Sequence, residues 1–480
     1  MIHEVFAEDS LLRADPTGRI ERLCGYGRAL GRQGTLLRAA LVASGAIAPG
    51  GPVPREYIGQ ALKELVMHEV GHTLGLRHNF RGSASAPAEQ LLDRSYTATH
   101  GTSASVMDYN SPVIALDRRR QGDYYSRTIG TYDRWAITYG YAALPGGTSE
   151  AERAGLQAIA AQASDPDHVY ATDEDAGFAG FGLDPTVTRW DQTSDPLGWA
   201  KDRVALVNRL FDSLETRLVA PGDGYPRLRR GFQDLLFERW YATLVTTKYL
   251  AGAYTSRDHR GDPNGRPPFV AVAAARQREA LAFIADAGLG ESVYRFRAEL
   301  LNKLAPERWW HWGVNPFSEG RIDFPLHDWA LGFQGTLVRL LTDPQVLSRV
   351  RDAELRAETR SQVVTIPEIL TALTASIWAE AGVQGSRARN TTSIRRDLQR
   401  LYLDRLMRMV VTPEPGTPED ARTVARATLV GLSGALGRAL VPANELDGYT
   451  QAHFADSRQR IEQALNAQVL QPLGLTPPTR

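Results

Sequence analysis

The sequence predicts a mostly α protein, α+β at most, and three observations lead there. From about Lys201 onwards apolar residues recur at spacings of three and four almost without interruption, the period of one helix face. Upstream, Leu23, Leu30, Leu36, Leu37, Ala40 and Leu41 share such a face, and so do Tyr57, Ile58, Ala61, Leu62, Leu65 and Val66. Strand-like alternation of apolar and polar residues is scarce in the 67 residues before His68.

Taken in order, Gly50-Gly51-Pro52 ends the first of these helices. The second is expected from about Pro54, a first-turn position that suits proline, through Gly75, with its apolar stripe buried. Asn79 to Ala104 is rich in Ser, Ala, Thr and Gly and reads as a loop, with His100 an exposed loop histidine. Thr131 to Gly140 reads as a helix, and Tyr124, Tyr125, Tyr132, Trp135, Tyr139 and Tyr141 suit a cleft lining and a packed core equally. Asp165-Pro166-Asp167-His168 and Asp173-Glu174-Asp175 raise the idea of a calcium loop but lack the ligand order of an EF-hand, so a solvated acidic loop is expected. Helices follow near 201 to 219, 231 to 252, 271 to 288, 326 to 358, 366 to 382, 391 to 411, 418 to 438 and 443 to 469, separated by Pro or Gly. Trp309-Trp310-His311-Trp312 reads as a helix anchor rather than a ligand platform. No internal repeat is evident.

Composition narrows the function classes. With 480 residues, 43% of them hydrophobic, the chain can bury a large core in two or more domains. It carries 55 basic and 55 acidic residues, a balance that argues against nucleic acid or an anionic membrane as partner. Cys24 is the only cysteine, which excludes an internal disulfide and a thiolate metal cluster and leaves Cys24 as a small hydrophobe. No run of about 18 apolar residues is present to form a transmembrane helix. Oligomeric state has no signal in the sequence.

The most specific feature is His68-Glu69-Val70-Gly71-His72-Thr73-Leu74-Gly75-Leu76-Arg77-His78. His68 and His72, four residues apart, project from one helix face one turn above the other, so both imidazoles reach one metal ion. Glu69 follows the first ligand and leans towards the open side of the metal, where its carboxylate acts as general base on an activated water. Gly75 lets the chain leave the helix through a left-handed turn, and His78 arrives as the third ligand. With 43 Gly and 10 His in 480 residues, both fall at these positions by chance about twice in a thousand. Three neutral imidazoles and an open position suit Zn2+. The expected chemistry is metal-assisted hydrolysis, with Glu69 returning the proton to the leaving group.

Downstream, Ser105-Val106-Met107-Asp108-Tyr109 reads as a tight turn bearing a methionine. The long motif followed by this turn resembles the metzincin clan of zinc peptidases, in which the methionine packs beneath the three-histidine site. Met107 matches that methionine. The Ser-x-Met-x-Tyr form is similar to the astacin and serralysin branches, which implies that Tyr109 is a switchable fifth ligand and stabilises the tetrahedral intermediate. A closer resemblance is to large bacterial zinc-dependent metalloproteases whose motif reads HEVGHTLGLRHNF, residues His68 to Phe80 here. It continues through Val106 to Tyr109, Asp191-Gln192-Thr193-Ser194-Asp195-Pro196, Tyr249-Leu250-Ala251-Gly252-Ala253-Tyr254 and Gln277.

The resemblance implies a zinc metalloendopeptidase acting on protein or peptide substrates. The expected organisation is a metzincin-like catalytic portion over residues 1–160, an acidic and Gly-rich connecting segment over 161–200, and an α-helical C-terminal domain over 201–480. Metzincins place a twisted sheet before the zinc helix, and its edge strand holds the substrate by strand addition. Few strands are expected before His68, so the chain reads as N-terminally incomplete, its upper sheet missing. Met1 to Asp9 lacks the basic and apolar regions of a signal peptide, whereas the resemblance implies export to the periplasm or beyond. Two other readings stay open: a non-catalytic helical interaction protein with a vestigial zinc site, and a zinc hydrolase of a non-peptide bond.

Overall fold

The computed structural model describes residues 12–14, 20–22, 26–49, 51–115, 117–177, 182–308 and 321–467. Cys24 and the Trp309 to Trp312 cluster lie outside the described residues. The fold is mostly α. Sheet among the described residues is limited to two antiparallel hairpins, β1 (Leu12–Ala14) with β2 (Ile20–Arg22) and β3 (Ala253–Thr255) with β4 (Phe269–Ala271). The chain divides into two compact units, one of residues 1–271 with 296–325, the other of 272–295 with 326–480. Helices anticipated in a single domain from Lys201 therefore fall in both.

The longer helices of the first unit are α1 (Tyr26–Ala43), α2 (Arg55–Thr73), α3 (Thr131–Tyr141), α4 (Ser149–Ala160), α5 (Pro196–Phe211) and α6 (Pro226–Val245). Helix α1 packs on α2, α5 and α6. It buries Leu36, Leu37, Ala40 and Leu41, the face its spacing predicts, and adds Tyr26 at its first residue. Tyr57 of α2 meets Tyr124 and Tyr125 beside Leu37 and Leu41, so these two downstream tyrosines belong to the core. Tyr139 and Tyr141, by contrast, are exposed.

Helix α2 keeps Tyr57, Ala61 and Leu65 of the expected stripe inwards but turns Ile58, Leu62 and Val66 outwards. Its buried face is Tyr57, Gln60, Glu64, His68 and Gly71, while Ile58, Leu62, Val66, Val70 and Leu74 form a ridge 41–58% exposed. The reason is hydrogen bonding. Gln60 accepts from the N–H of Tyr124 at 2.7 Å and donates to Asp123 at 2.8 Å, and Glu64 accepts from Tyr26, Asn110 and the N–H of Ser126. A polar face with partners at every position is stable in the interior, so apolar periodicity alone misassigns the helix.

The stretch from Asn79 to Ala104 is also more ordered than its composition suggests, with short helical turns at Gly82–Ser85, Ala88–Leu91 and Arg94–His100. Asp93 caps the last of these by accepting from the N–H of Ser95.

The second unit is a helical bundle of α7 (Ala274–Ala287), α8 (Leu326–Leu341), α9 (Pro344–Glu354), α10 (Ile366–Ile377), α11 (Ser393–Val411), α12 (Glu419–Ala439) and α13 (Gly448–Asn466). Helix α11 packs against α8, α12 and α13, burying Leu398, Tyr402, Leu403 and Leu406. The single helix expected over 326 to 358 is two. Asp343 accepts from the N–H of Gln345 and Pro344 opens the new helix, because a proline nitrogen has no hydrogen to continue the old one. Arg395 of α11 forms a fully buried pair with Glu380 at 2.8 Å, whose second oxygen accepts from Gln399 at 2.9 Å.

Candidate metal centre

Two of the three histidines come from consecutive turns of α2, and the third follows the helix end. That end is a Schellman motif: Leu76 N–H donates to the carbonyl of Gly71 and Gly75 N–H to that of His72, each at 3.0 Å. Gly75 sits at φ +86°, a conformation that costs a side-chain-bearing residue steric strain. The chain thereby reverses and brings His78 back beside His72.

Each ring is held at Nδ1 by an oxygen that can only accept. His68 Nδ1 lies 2.7 Å from the carbonyl of Val106, and His72 Nδ1 lies 3.0 Å from that of Leu76. His78 Nδ1 lies 3.0 and 3.2 Å from the two carboxylate oxygens of Asp173. Nδ1 therefore carries a hydrogen in every ring, and in the neutral imidazole the Nε2 lone pair is the one left to ligate. One ring nitrogen from each histidine lies within 4.8 Å of the others, the only such cluster among the described residues. Burial, reinforced by the neighbouring His78 and His72 and opposed by the Val106 hydrogen bond, lowers His68 to about 3. His68 is thus neutral at pH 7, the form that ligates a metal. Donor set, tautomers and convergence all fit a bound divalent ion.

Met107 is fully buried, and a Cβ built on Gly71 would fall 2.2 Å from its Sδ. Only glycine between the two helical ligands lets the methionine approach the helix this closely. The turn is held from below by Asp133 of α3, which accepts from Ser105 Oγ at 2.6 Å and from the N–H groups of Val106 and Gly130 at 2.8 Å. Asp133 thus fixes the carbonyl that orients His68. The carbonyl of Met107 accepts from Asn79 N–H at 3.0 Å, joining the turn to the residue after His78.

Tyr109 stacks on Tyr26 with ring centroids 5.1 Å apart and meets the His78 ring edge-on at 4.9 Å. Phe80 and Trp190 complete this aromatic wall. Glu69 lies exposed on α2 between the two helical ligands. His100 is exposed and stacks on Tyr96, outside the cluster.

Several residues around the site were missed. Glu64 precedes His68 by four residues on the buried face and could have been found from that spacing. Tyr26 and Asp133 meet the site across long sequence separations and carry no local signal. In the acidic stretch, Asp173 meets His78, Glu174 pairs with Arg77 at 2.6 Å, and Asp175 pairs with Arg257 at 2.6 Å. Burial opposes ionisation of Asp173, but His78 and Arg189 outweigh it and hold this carboxyl below the usual carboxylate range.

A sequence model of the Met-zincin domain matches residues 50–427 of this chain. The chain belongs to the Met-zincin family. The match covers α2, the methionine turn and most of both units, so Met-zincin character extends well beyond the eleven-residue motif. Membership implies zinc and a metalloprotease-type domain, and the three-histidine cluster is a site able to hold the ion. No helix among the described residues of this Met-zincin is long and apolar enough to cross a membrane. Comparison with curated proteins and with solved structures returns no match.

Proposed function

We propose that this Met-zincin is a zinc metallopeptidase that hydrolyses peptide bonds with Glu69 as general base. The observation that carries the reading is the convergence of three imidazoles whose Nδ1 atoms are all committed to acceptors, leaving three Nε2 lone pairs for one ion. Zinc, when held by His68, His72 and His78, supplies a Lewis acid that activates water and polarises the scissile carbonyl. Glu69 accepts the proton that water loses as its oxygen bonds to the carbonyl carbon. As the C–N bond breaks, Glu69 delivers that proton to the departing amine, so no proton is left over. The Tyr109 hydroxyl donates a hydrogen bond to the developing oxyanion. Met107, Gly71 and Asp133 do no chemistry; they hold the plane in which the ligand rings lie.

The test pairs metal analysis with cleavage of casein, an unstructured protein. The expected result is one zinc per chain and hydrolysis that stops with a chelator and returns with added zinc. Bound zinc without cleavage of any peptide would favour a non-catalytic role, and cleavage confined to esters or amides of small molecules would favour a non-peptide hydrolase.

A further inference from the structure

We propose that Asp173 is a positioning residue for the third ligand, fixing the tautomer and ring plane of His78 so that the metal is held tightly. The proposal rests on the metal-site reading above and on no assumption about substrate.

The three ligands are not oriented by equivalent means. His68 and His72 belong to a packed helix whose backbone already sets their direction, and main-chain carbonyls suffice to hold their Nδ1 atoms. His78 lies beyond the Schellman turn, outside the helix. An anion holds it, with both oxygens of Asp173 within 3.2 Å of its Nδ1. At comparable length a hydrogen bond to a charged acceptor is stronger than one to a neutral carbonyl, which compensates for the missing helix. It also makes the imidazole a more basic donor through Nε2.

Asp173 is itself held in place. Arg189 lies 3.3 Å from its Oδ1, donates to the carbonyl of Gly177 at 3.3 Å, and stacks over the Phe80 ring at 4.3 Å. Phe80 is two residues past His78, and its N–H donates to the carbonyl of Ala171 at 2.8 Å. Asp173 and His78 therefore sit on two segments tied together by main chain and by the Arg189 guanidinium, with Arg77–Glu174 a further pair between them. Neighbouring Glu174 has a separate task, pairing with the half-exposed Arg77. This adjacency supplies an internal control: Glu174 lies on the same helical turn, Asp173–Ala176, carries the same charge and is engaged by Arg77.

The experiment measures zinc affinity by competition with a chromogenic chelator for the full chain and for Asp173→Asn, Asp173→Glu and Glu174→Gln. Cobalt-substituted protein is read in parallel by its visible absorption. Thermal unfolding of each metal-free protein monitors the fold. The expected result for D173N is a 10- to 100-fold loss of zinc affinity with an altered cobalt spectrum and unchanged metal-free unfolding. E174Q should stay within about twofold of the parent, the range expected for an exposed pair of little energetic weight. D173E, which keeps the carboxylate on a longer arm, should fall between the parent and D173N. Should D173N fail to fold, the ordering of parent, D173E and E174Q still decides. Parent-like affinity and cobalt spectrum in D173N, or equal losses in D173N and E174Q, would overturn the proposal. Weaker zinc binding by D173N in a parent that cleaves no peptide would leave Asp173's role standing and remove only the peptidase reading.

Discussion

Gly71 sits between the two helical histidines, where a Cβ would fall 2.2 Å from the Sδ of a fully buried methionine. Ala is the better helix former by up to about 1 kcal/mol, but here it must displace Met107 and with it the turn that orients His68. Gly71→Ala is therefore predicted to cost roughly 1–3 kcal/mol of stability through overpacking and to weaken zinc binding. Chemical denaturation with and without zinc checks both, and a stabilised variant would contradict the packing argument. At this scale the sequence was most informative where spacing dictates geometry. His68, His72, Gly75 and His78 are set by helix period and one left-handed turn, all within eleven residues. Asp173 and Tyr26 were invisible because they meet the site from 95 residues after His78 and 42 before His68, distances over which no local pattern operates.

Helix α2 shows what periodicity does and does not decide. The spacing of Tyr57, Ala61 and Leu65 correctly marks a helix, but the same pattern continues round to Ile58, Leu62 and Val66, which face outwards. Which face turns inwards was settled by Gln60 and Glu64, whose partners lie on segments distant in the chain. Two substitutions separate these effects. Leu62→Gln is predicted to change stability by no more than about 0.5 kcal/mol, as for other surface positions. Gln60→Ala is predicted to cost roughly 1–3 kcal/mol, because the N–H of Tyr124 would be left buried without its acceptor. Denaturant titration of the two variants side by side gives the answer, and the reverse order would mean that the ridge is covered and the helix rotated.

Across the whole molecule, helical character was legible because amphipathic spacing recurs in almost every long segment, and proline marked breaks such as that at Asp343-Pro344. The division into two units was not, since the second unit is discontinuous in sequence, made of residues 272–295 and 326–480, and no local pattern marks which distant segments join. Global stability should also report the polar interior of the first unit. Burial raises Glu64 from its ordinary 4.5 to about 7 despite hydrogen bonds from Tyr26, Ser126 and Asn110 that favour the carboxylate. Burial likewise raises Asp191 to about 7, and burial with the charge of Asp191 raises Asp108. The folded chain binds these protons more tightly than the unfolded chain, so their contribution is full below the unfolded values and, for Glu64 and Asp191, declines as pH rises to about 7. For Glu64 alone the difference amounts to roughly 3 kcal/mol. Glu64→Gln is predicted to flatten the fall in unfolding free energy between about pH 5 and pH 8 by that order; parallel curves for parent and variant would contradict it. The peptidase account itself stands or falls on Glu69→Gln, compared with the parent for zinc content and casein cleavage. The account predicts undiminished zinc and a rate lower by about 10²- to 10⁴-fold, whereas cleavage at the parent rate would show that Glu69 is not the base.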